Sequence, residues 1–254
     1  MIIEVDDNIK VFPKNIVFGS RDIGNILDNS LSLILHIVNA DIIVVENINR
    51  FQTLLNNLKI KTNAEILDMN YNDTNIQKIN KYILDSYKNK KILYLSDEGS
   101  SITCDPGFIA SNLLNKNNIE YYVMPGASSI MTAINYLEFI GQQKFYFGGM
   151  LAKGTNETGI GQPHALIDDK DIKHIFDTIK HLSVPSLLFT ISDLFKETID
   201  KVISFFGKDC NLIVFKNLTM SNQNILYGNS EYFFNNNLVD GLDTVCFVIN
   251  MENN

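Results

Sequence analysis

Three carboxylates, a run of hydroxyls and two glycines stand together in Ser96-Asp97-Glu98-Gly99-Ser100-Ser101-Ile102-Thr103-Cys104-Asp105-Pro106-Gly107. The carboxylates accept hydrogen bonds from amides or ammonium groups, the hydroxyls donate, and the glycines let a backbone approach closely. This loop follows the apolar run Ile92-Leu93-Tyr94-Leu95, and a second small-residue loop, Pro125-Gly126-Ala127-Ser128, follows Ile119-Glu120-Tyr121-Tyr122-Val123-Met124. Two strands that each end in such a loop, with a helix between them, describe the carboxyl edge of a parallel sheet. Open α/β sheets bind ligands at that edge. A small-molecule cofactor site is the expectation. Taken alone, Asp97 also fits a turn or helix N-cap, and Ser128 fits the cap of the helix after Gly126.

The elements that must hold these loops alternate. Strands are expected near 15–19, 42–45, 64–67, 91–95 and 119–124, with helices over 30–38, 49–58, 75–87, 108–114 and 128–137. Ile42 to Val45 is a short continuous apolar run of the kind found in buried parallel strands. Strand and helix in alternation give an α/β first half. From Gly148 to Asp169 the pattern breaks down around Gly154, Gly159, Gly161 and Pro163, which predicts a domain junction at 147/148 and a long irregular segment over 152–169. Thr155, Asn156, Glu157, Gln162 and His164 in that segment suit a lid over an acceptor. Beyond it, strands near 186–190, 211–215 and 244–250, a helix over 194–206 and a turn near Gly228 suggest a mixed sheet with one face covered. The expectation is therefore two α/β domains, 1–147 and 148–254, with a cleft between them.

Composition narrows the class. With 45 % hydrophobic residues among 254, the chain has the make-up of a packed protein. No window approaches the ~18 uninterrupted apolar residues of a membrane span. Glu4, Asp6 and Asp7 come too early for a secretory leader, so the expected location is cytoplasmic. Cys104, Cys210 and Cys246 show no paired spacing and behave as small hydrophobes. The formal net charge is −8 and only Arg21 and Arg50 are arginines, which disfavours tight binding of nucleic acid. No metal site is expected, because His164, His174 and His181 lack a ligand spacing. No Gly-x-Gly-x-x-Gly follows the first strand, so a dinucleotide-dependent oxidoreductase is disfavoured.

The pattern Ser-Asp-x-Gly-x-x-x-x-x-Asp-Pro-Gly at 96–107, followed by Pro-Gly-x-Ser at 125–128, resembles the tetrapyrrole methylase family of S-adenosylmethionine (SAM) methyltransferases. Asp22-Ile23-Gly24-Asn25-Ile26-Leu27-Asp28, Ala40-Asp41-Ile42-Ile43-Val44-Val45-Glu46 and Phe145-Tyr146-Phe147-Gly148-Gly149-Met150-Leu151 carry the likeness further, toward its small-subunit ribosomal RNA ribose methyltransferase branch. The resemblance is dense up to residue 151 and thin beyond. It implies the two-domain tetrapyrrole methylase fold, a homodimer, and SAM as cofactor. It also implies a cofactor set of Ser96, Asp97, Glu98, Gly99, Thr103, Gly126, Ala127, Ser128, Met150, Leu151, Thr219 and Thr244. Asn25 and Glu46 fall on the side where the family places its acceptor. Either suits the orientation of a hydroxyl, and Glu46 becomes a general base if burial raises its pKa. A solvated Glu at a strand end is the other reading.

The chain also departs from that branch. Glu46-Asn47-Ile48-Asn49 stands where the branch has Glu-Asp-Thr-Arg, with Arg50 displaced by one. Met69-Asn70-Tyr71-Asn72 stands for its His-rich loop, Thr190-Ile191-Ser192-Asp193-Leu194 for its Glu-Ser-Pro-His-Arg motif, and Asn217-Leu218-Thr219-Met220 for its Glu-Leu-Thr-Lys. The expected function is methyl transfer from SAM to an O or N acceptor, ribosomal RNA ribose by resemblance. A peptide or small-molecule acceptor, or a SAM-binding partner protein that has lost its chemistry, stays open.

Overall fold

The computed structural model describes residues 10–69, 73–105, 107–137, 144–154, 163–236, 238–239 and 244–250. They group into two compact units, Met1–Ser128 and Ser129–Asn254.

The first unit is a five-stranded sheet of β1 (Ile16–Phe18), β2 (Ile42–Val45), β3 (Glu65–Asp68), β4 (Ile92–Leu95) and β5 (Tyr122–Val123), in the order β3-β2-β4-β1-β5. Every pairing is parallel. Side chains alternate across it with period two. Val17, Ile43, Val45, Leu93 and Leu95 pack with Leu33 and Ile37 of α1 (Leu31–Asn39) and Phe51 and Leu54 of α2 (Ile48–Leu58). Ile16, Phe18, Ile42, Val44, Ile92 and Tyr94 pack with Ile76 and Ile83 of α3 (Asp73–Ser86) and Ala110 and Leu114 of α4 (Gly107–Lys116). Burial on both faces explains why β2 and β4 read as unbroken apolar runs.

This topology creates a crevice. The chain leaves β2 through α2 toward β3 on one face, and leaves β4 through α4 toward β5 on the other. Neighbouring strands whose connections diverge in this way mark a topological switch point, where ligands of open α/β sheets bind. Here it lies beyond the carboxyl ends of β2 and β4.

The second unit is a mixed sheet. β6 (Tyr146–Met150), β9 (Ser186–Ile191), β10 (Asn211–Lys216), β11 (Asn224–Asn229) and β12 (Thr244–Ile249) lie in the order β11-β10-β12-β9-β6, with only the β6–β9 pair parallel. One face packs on α6 (Asp169–Leu182), α7 (Ser192–Phe206) and α8 (Ser230–Asn235) through Phe176, Phe195, Ile199 and Phe233. On the other face, the Tyr136 ring, just past α5 (Ser129–Ile134), lies 6.3 Å from that of Phe215. Those contacts place the α5 segment with the second unit, whereas the sequence put a junction at 147/148.

Several expectations change. Gly148 to Asp169 is not wholly irregular: β7 (Ala152–Gly154) and β8 (Pro163–Leu166) form an antiparallel ribbon. Residues 155–162, which hold Thr155, Asn156, Glu157 and Gln162 of the expected lid, lie outside the described residues, as does the side chain of His164. The turn near Gly228 lies instead within strand β11, and α6 and α8 are helices the sequence reading did not include. No helix among the described residues is long and apolar enough to cross a membrane.

Candidate active site

The carboxyl ends of β2 and β4 converge on one acidic cluster. Glu46 directly follows β2 and is 6 % exposed. Its Oε2 accepts the Asp97 backbone N–H at 2.8 Å, which ties the end of β2 to the loop after β4. Asn47 then caps α2, its side chain accepting from Asn49 N–H and Arg50 N–H. The cap starts the helix so that Arg50 turns back over the same loop. Arg50 Nε lies 3.5 Å from Asp97 Oδ2, and its Nη1 3.9 Å from Glu98 Oε1. From the loop after β1 comes Arg21, 7 % exposed, whose Nη1 donates to the Ser96 carbonyl at 3.4 Å. Both arginines of the chain thus serve one loop.

Burial dominates the charges here. It raises the Glu46 carboxyl to about 7, helped by the nearby Asp97 charge and opposed by the Asp97 amide, Arg50 and Arg21. It raises Asp105 to about 9, with Glu46, Asp97 and Glu98 adding repulsion. Asp97 is also raised by burial, held back by Arg50 and Arg21. Arg21 is lowered by burial against the fields of Asp22, Asp97 and Glu98. Like charges sharing one low-dielectric site cannot all ionise, so the cluster holds protons at neutral pH.

The loops are laced by main-chain contacts. Ser96 Oγ donates to the carbonyls of Glu98 and Gly99, closing a tight turn in which Gly99 takes φ 63°. Arg21 N–H donates to the Gly99 carbonyl, and Gly99 N–H to the Asp22 carbonyl. Ser101 Oγ reaches back to the Gly19 carbonyl at 2.7 Å. Ser20 Oγ donates to the Ala127 carbonyl, and a Cβ on Gly126 would stand 2.6 Å from Ser20 Cβ. Only glycine permits that approach.

Of the residues expected from the sequence, Glu46, Ser96, Asp97, Glu98 and Gly99 come together at the ends of β2 and β4. Thr103 lies exposed further along the same loop. Gly126, Ala127 and Ser128 follow β5. Asn25 Oδ1 accepts the Leu27 N–H at 3.1 Å and caps a 3-10 turn over Ile26–Asp28. The remaining four belong to the second unit. Met150 pairs with Phe189, and Leu151, buried, donates its N–H to the Phe189 carbonyl. Thr244 opens β12 opposite Ile191. Thr219 holds φ 66°, costly for a β-branched residue, while its N–H donates to Gln223 Oε1. Sequence reasoning did not include Arg21, Arg50 and Asp105 in the site. The available signal was that the only two arginines follow the first two strands.

No family model matches the chain. The "Ribosomal RNA small subunit methyltransferase I" of Mesomycoplasma conjunctivae is 28% identical over 229 residues, 88% of this chain and 86% of that protein. The chain is similar to that methyltransferase over most of both lengths. Among solved structures, a cobalt precorrin-4 methyltransferase of cobalamin biosynthesis superposes with TM-score 0.62 at 16% identity, covering 93% of this chain and 95% of its own. A uroporphyrin-III C-methyltransferase from Thermus thermophilus, complexed with S-adenosylhomocysteine (SAH), gives 0.61 at 10% identity, covering 93% and 98%. These likenesses establish the fold, two α/β units of this methylase type.

Proposed function

We propose that this protein is a member of the tetrapyrrole methylase family that uses SAM to methylate an oxygen or nitrogen of small-subunit ribosomal RNA. The observation that carries the proposal is the loop after β4, which presents Asp97 and Glu98 beside the switch point between β2 and β4. The acceptor class follows the relatives' name.

The residues present fit this donor. SAM carries a cationic sulfonium and an ammonium group, which suit the carboxylates of Asp97 and Glu98. Its ribose diol suits hydroxyl and amide partners such as Thr103, Ser128 and the backbone after β5. When bound, the cofactor supplies an already activated methyl group, so placement does most of the catalytic work. The chain's own residues hold the donor loop in one conformation through Ser96, Arg21, Arg50 and Glu46. The same reading takes the protein as a cytoplasmic homodimer, a state that light scattering after size exclusion tests.

Calorimetry with SAH tests the donor assignment without requiring the acceptor. Affinity near the micromolar range, about −8 kcal/mol, is expected. Asp97→Ala should weaken it at least ten-fold. An affinity unchanged by that substitution would remove the donor from this loop.

A further inference from the structure

We infer that Glu46 is a positioning residue for the SAM loop, acting through the Asp97 amide, and not the base that deprotonates the acceptor. The inference rests on the proposed donor site and assigns one of its members a different role.

The Glu46 carboxylate is already engaged. Glu46 Oε2 accepts the Asp97 N–H at 2.8 Å, across 51 residues of sequence. The rest of the loop is gripped at other points: Arg21 on the Ser96 carbonyl and, by its own N–H, on the Gly99 carbonyl, and Arg50 on the Asp97 and Glu98 carboxylates. Asp97 is the central residue of this arrangement. Its amide is fixed by Glu46 and its carboxylate by Arg50, so both its backbone and its side chain are aimed from β2 and α2. At 6 % exposure Glu46 has little open surface to offer an acceptor, while Asp97 keeps 15 % of its side chain exposed. A buried acceptor that satisfies a loop amide is what keeps such a loop in one conformation.

Protonation separates the two roles. The charged groups around Glu46 are Arg21 from the loop after β1, Arg50 from α2, and Asp97 and Asp105 from the loop after β4, with Asp68 acting on Asp97 from the end of β3 and Glu98 on Asp105. Burial first, with the Asp97 charge added and the Asp97 amide and two arginines opposed, raises its carboxyl to about 7. A general base must lose its proton to act, so its rate falls ten-fold per pH unit below that point. A hydrogen-bond acceptor keeps a carbonyl oxygen in either form.

The test compares Glu46→Gln, which retains an acceptor oxygen, with Glu46→Met, which retains the length without one. We expect SAH affinity of Glu46→Gln within about three-fold of wild type. Glu46→Met should bind at least ten-fold more weakly and lose hydrogen-exchange protection at the Asp97 amide. Methyl transfer by Glu46→Gln at saturating SAM should stay within about five-fold, with a flat profile between pH 6 and 8. Loss of transfer by more than about 100-fold in Glu46→Gln with SAH affinity intact would make Glu46 the base and overturn the inference. So would equal SAH affinity in Glu46→Met and wild type. Absence of SAH binding by the wild type overturns the donor assignment itself, and the positioning role with it.

Discussion

Ser20 Oγ donates to the Ala127 carbonyl at 2.9 Å, joining the loop after β1 to the loop after β5. Gly126 sits against that joint, and a side chain there would press its Cβ to 2.6 Å from Ser20 Cβ and 3.3 Å from the Ser20 carbonyl oxygen. Neither atom is the end of a flexible side chain. Gly126→Ala should therefore displace the loop and lower stability by about 1–3 kcal/mol, the usual cost of overpacking. Denaturant titration measures the first effect and SAH calorimetry the accompanying loss of affinity. A fully stable variant with normal affinity would show that the two loops do not meet here.

Much of the first unit was legible because its strands are buried on both faces. Ile42 to Val45 and Ile92 to Leu95 have no polar residue to confuse the pattern, and each is short enough to be a strand. The strand before Pro125 shrinks to Tyr122–Val123, since β5 is an edge strand paired on one side only. In the second unit, α6 carries Ile172, Phe176 and Ile179 at helical spacing, directly after a stretch whose glycines and proline break the periodic pattern. β11 holds Gly228 and flanking asparagines, which imitate a turn, and only pairing with β10 makes it a strand. The loop after β4 was found from composition. That Arg21 and Glu46 converge on it was not, because such contacts are set by strand order and not by spacing.

The pH dependence of folding should carry the sign of the buried carboxyls. Glu46 titrates near 7 when folded and near its ordinary 4.5 when unfolded, so the folded state binds the extra proton between those values. Stability from this group is present at acid pH and is lost as pH rises through 7. His36 works oppositely: burial lowers it, so the unfolded chain takes up a proton first and stability falls as pH drops below about 6.5. Glu46→Gln should flatten the alkaline loss and be more stable than wild type at pH 8, measured by thermal melts across pH 5 to 8. A Glu46→Gln curve parallel to that of wild type would contradict the raised carboxyl.

In the second unit, the hydroxyls of Thr190 and Thr198 lie 2.9 Å apart, both buried, and Thr198 also donates to the Leu194 carbonyl. Thr198→Val should leave the Thr190 hydroxyl without this partner and cost about 1–3 kcal/mol. Thr190→Val should cost less, since Thr198 keeps its carbonyl. The double variant should be more stable than the sum of the single changes, which chemical denaturation of all three measures. Strict additivity would mean the two hydroxyls do not interact.

Affinity for free RNA should be low. The chain carries a net charge of −8, Arg50 pairs with Asp97 and Glu98, and buried Arg21 donates to the Ser96 carbonyl. Few phosphates can then be neutralised, so filter binding to a naked ribosomal RNA fragment should be weak, with a shallow salt dependence. Tight binding that collapses between about 50 and 200 mM salt would overturn this and point to a lysine surface able to carry the RNA.

The most direct test of the central claim follows the methyl group itself. Purified protein is incubated with methyl-labelled SAM and small ribosomal subunits, and label is counted in the RNA after nuclease digestion. The account predicts label in ribosomal RNA, with Asp97→Ala reduced at least ten-fold at subsaturating SAM. Binding of SAH without label in the RNA would contradict the acceptor. Label that persists at the wild-type rate in Asp97→Ala would contradict the site.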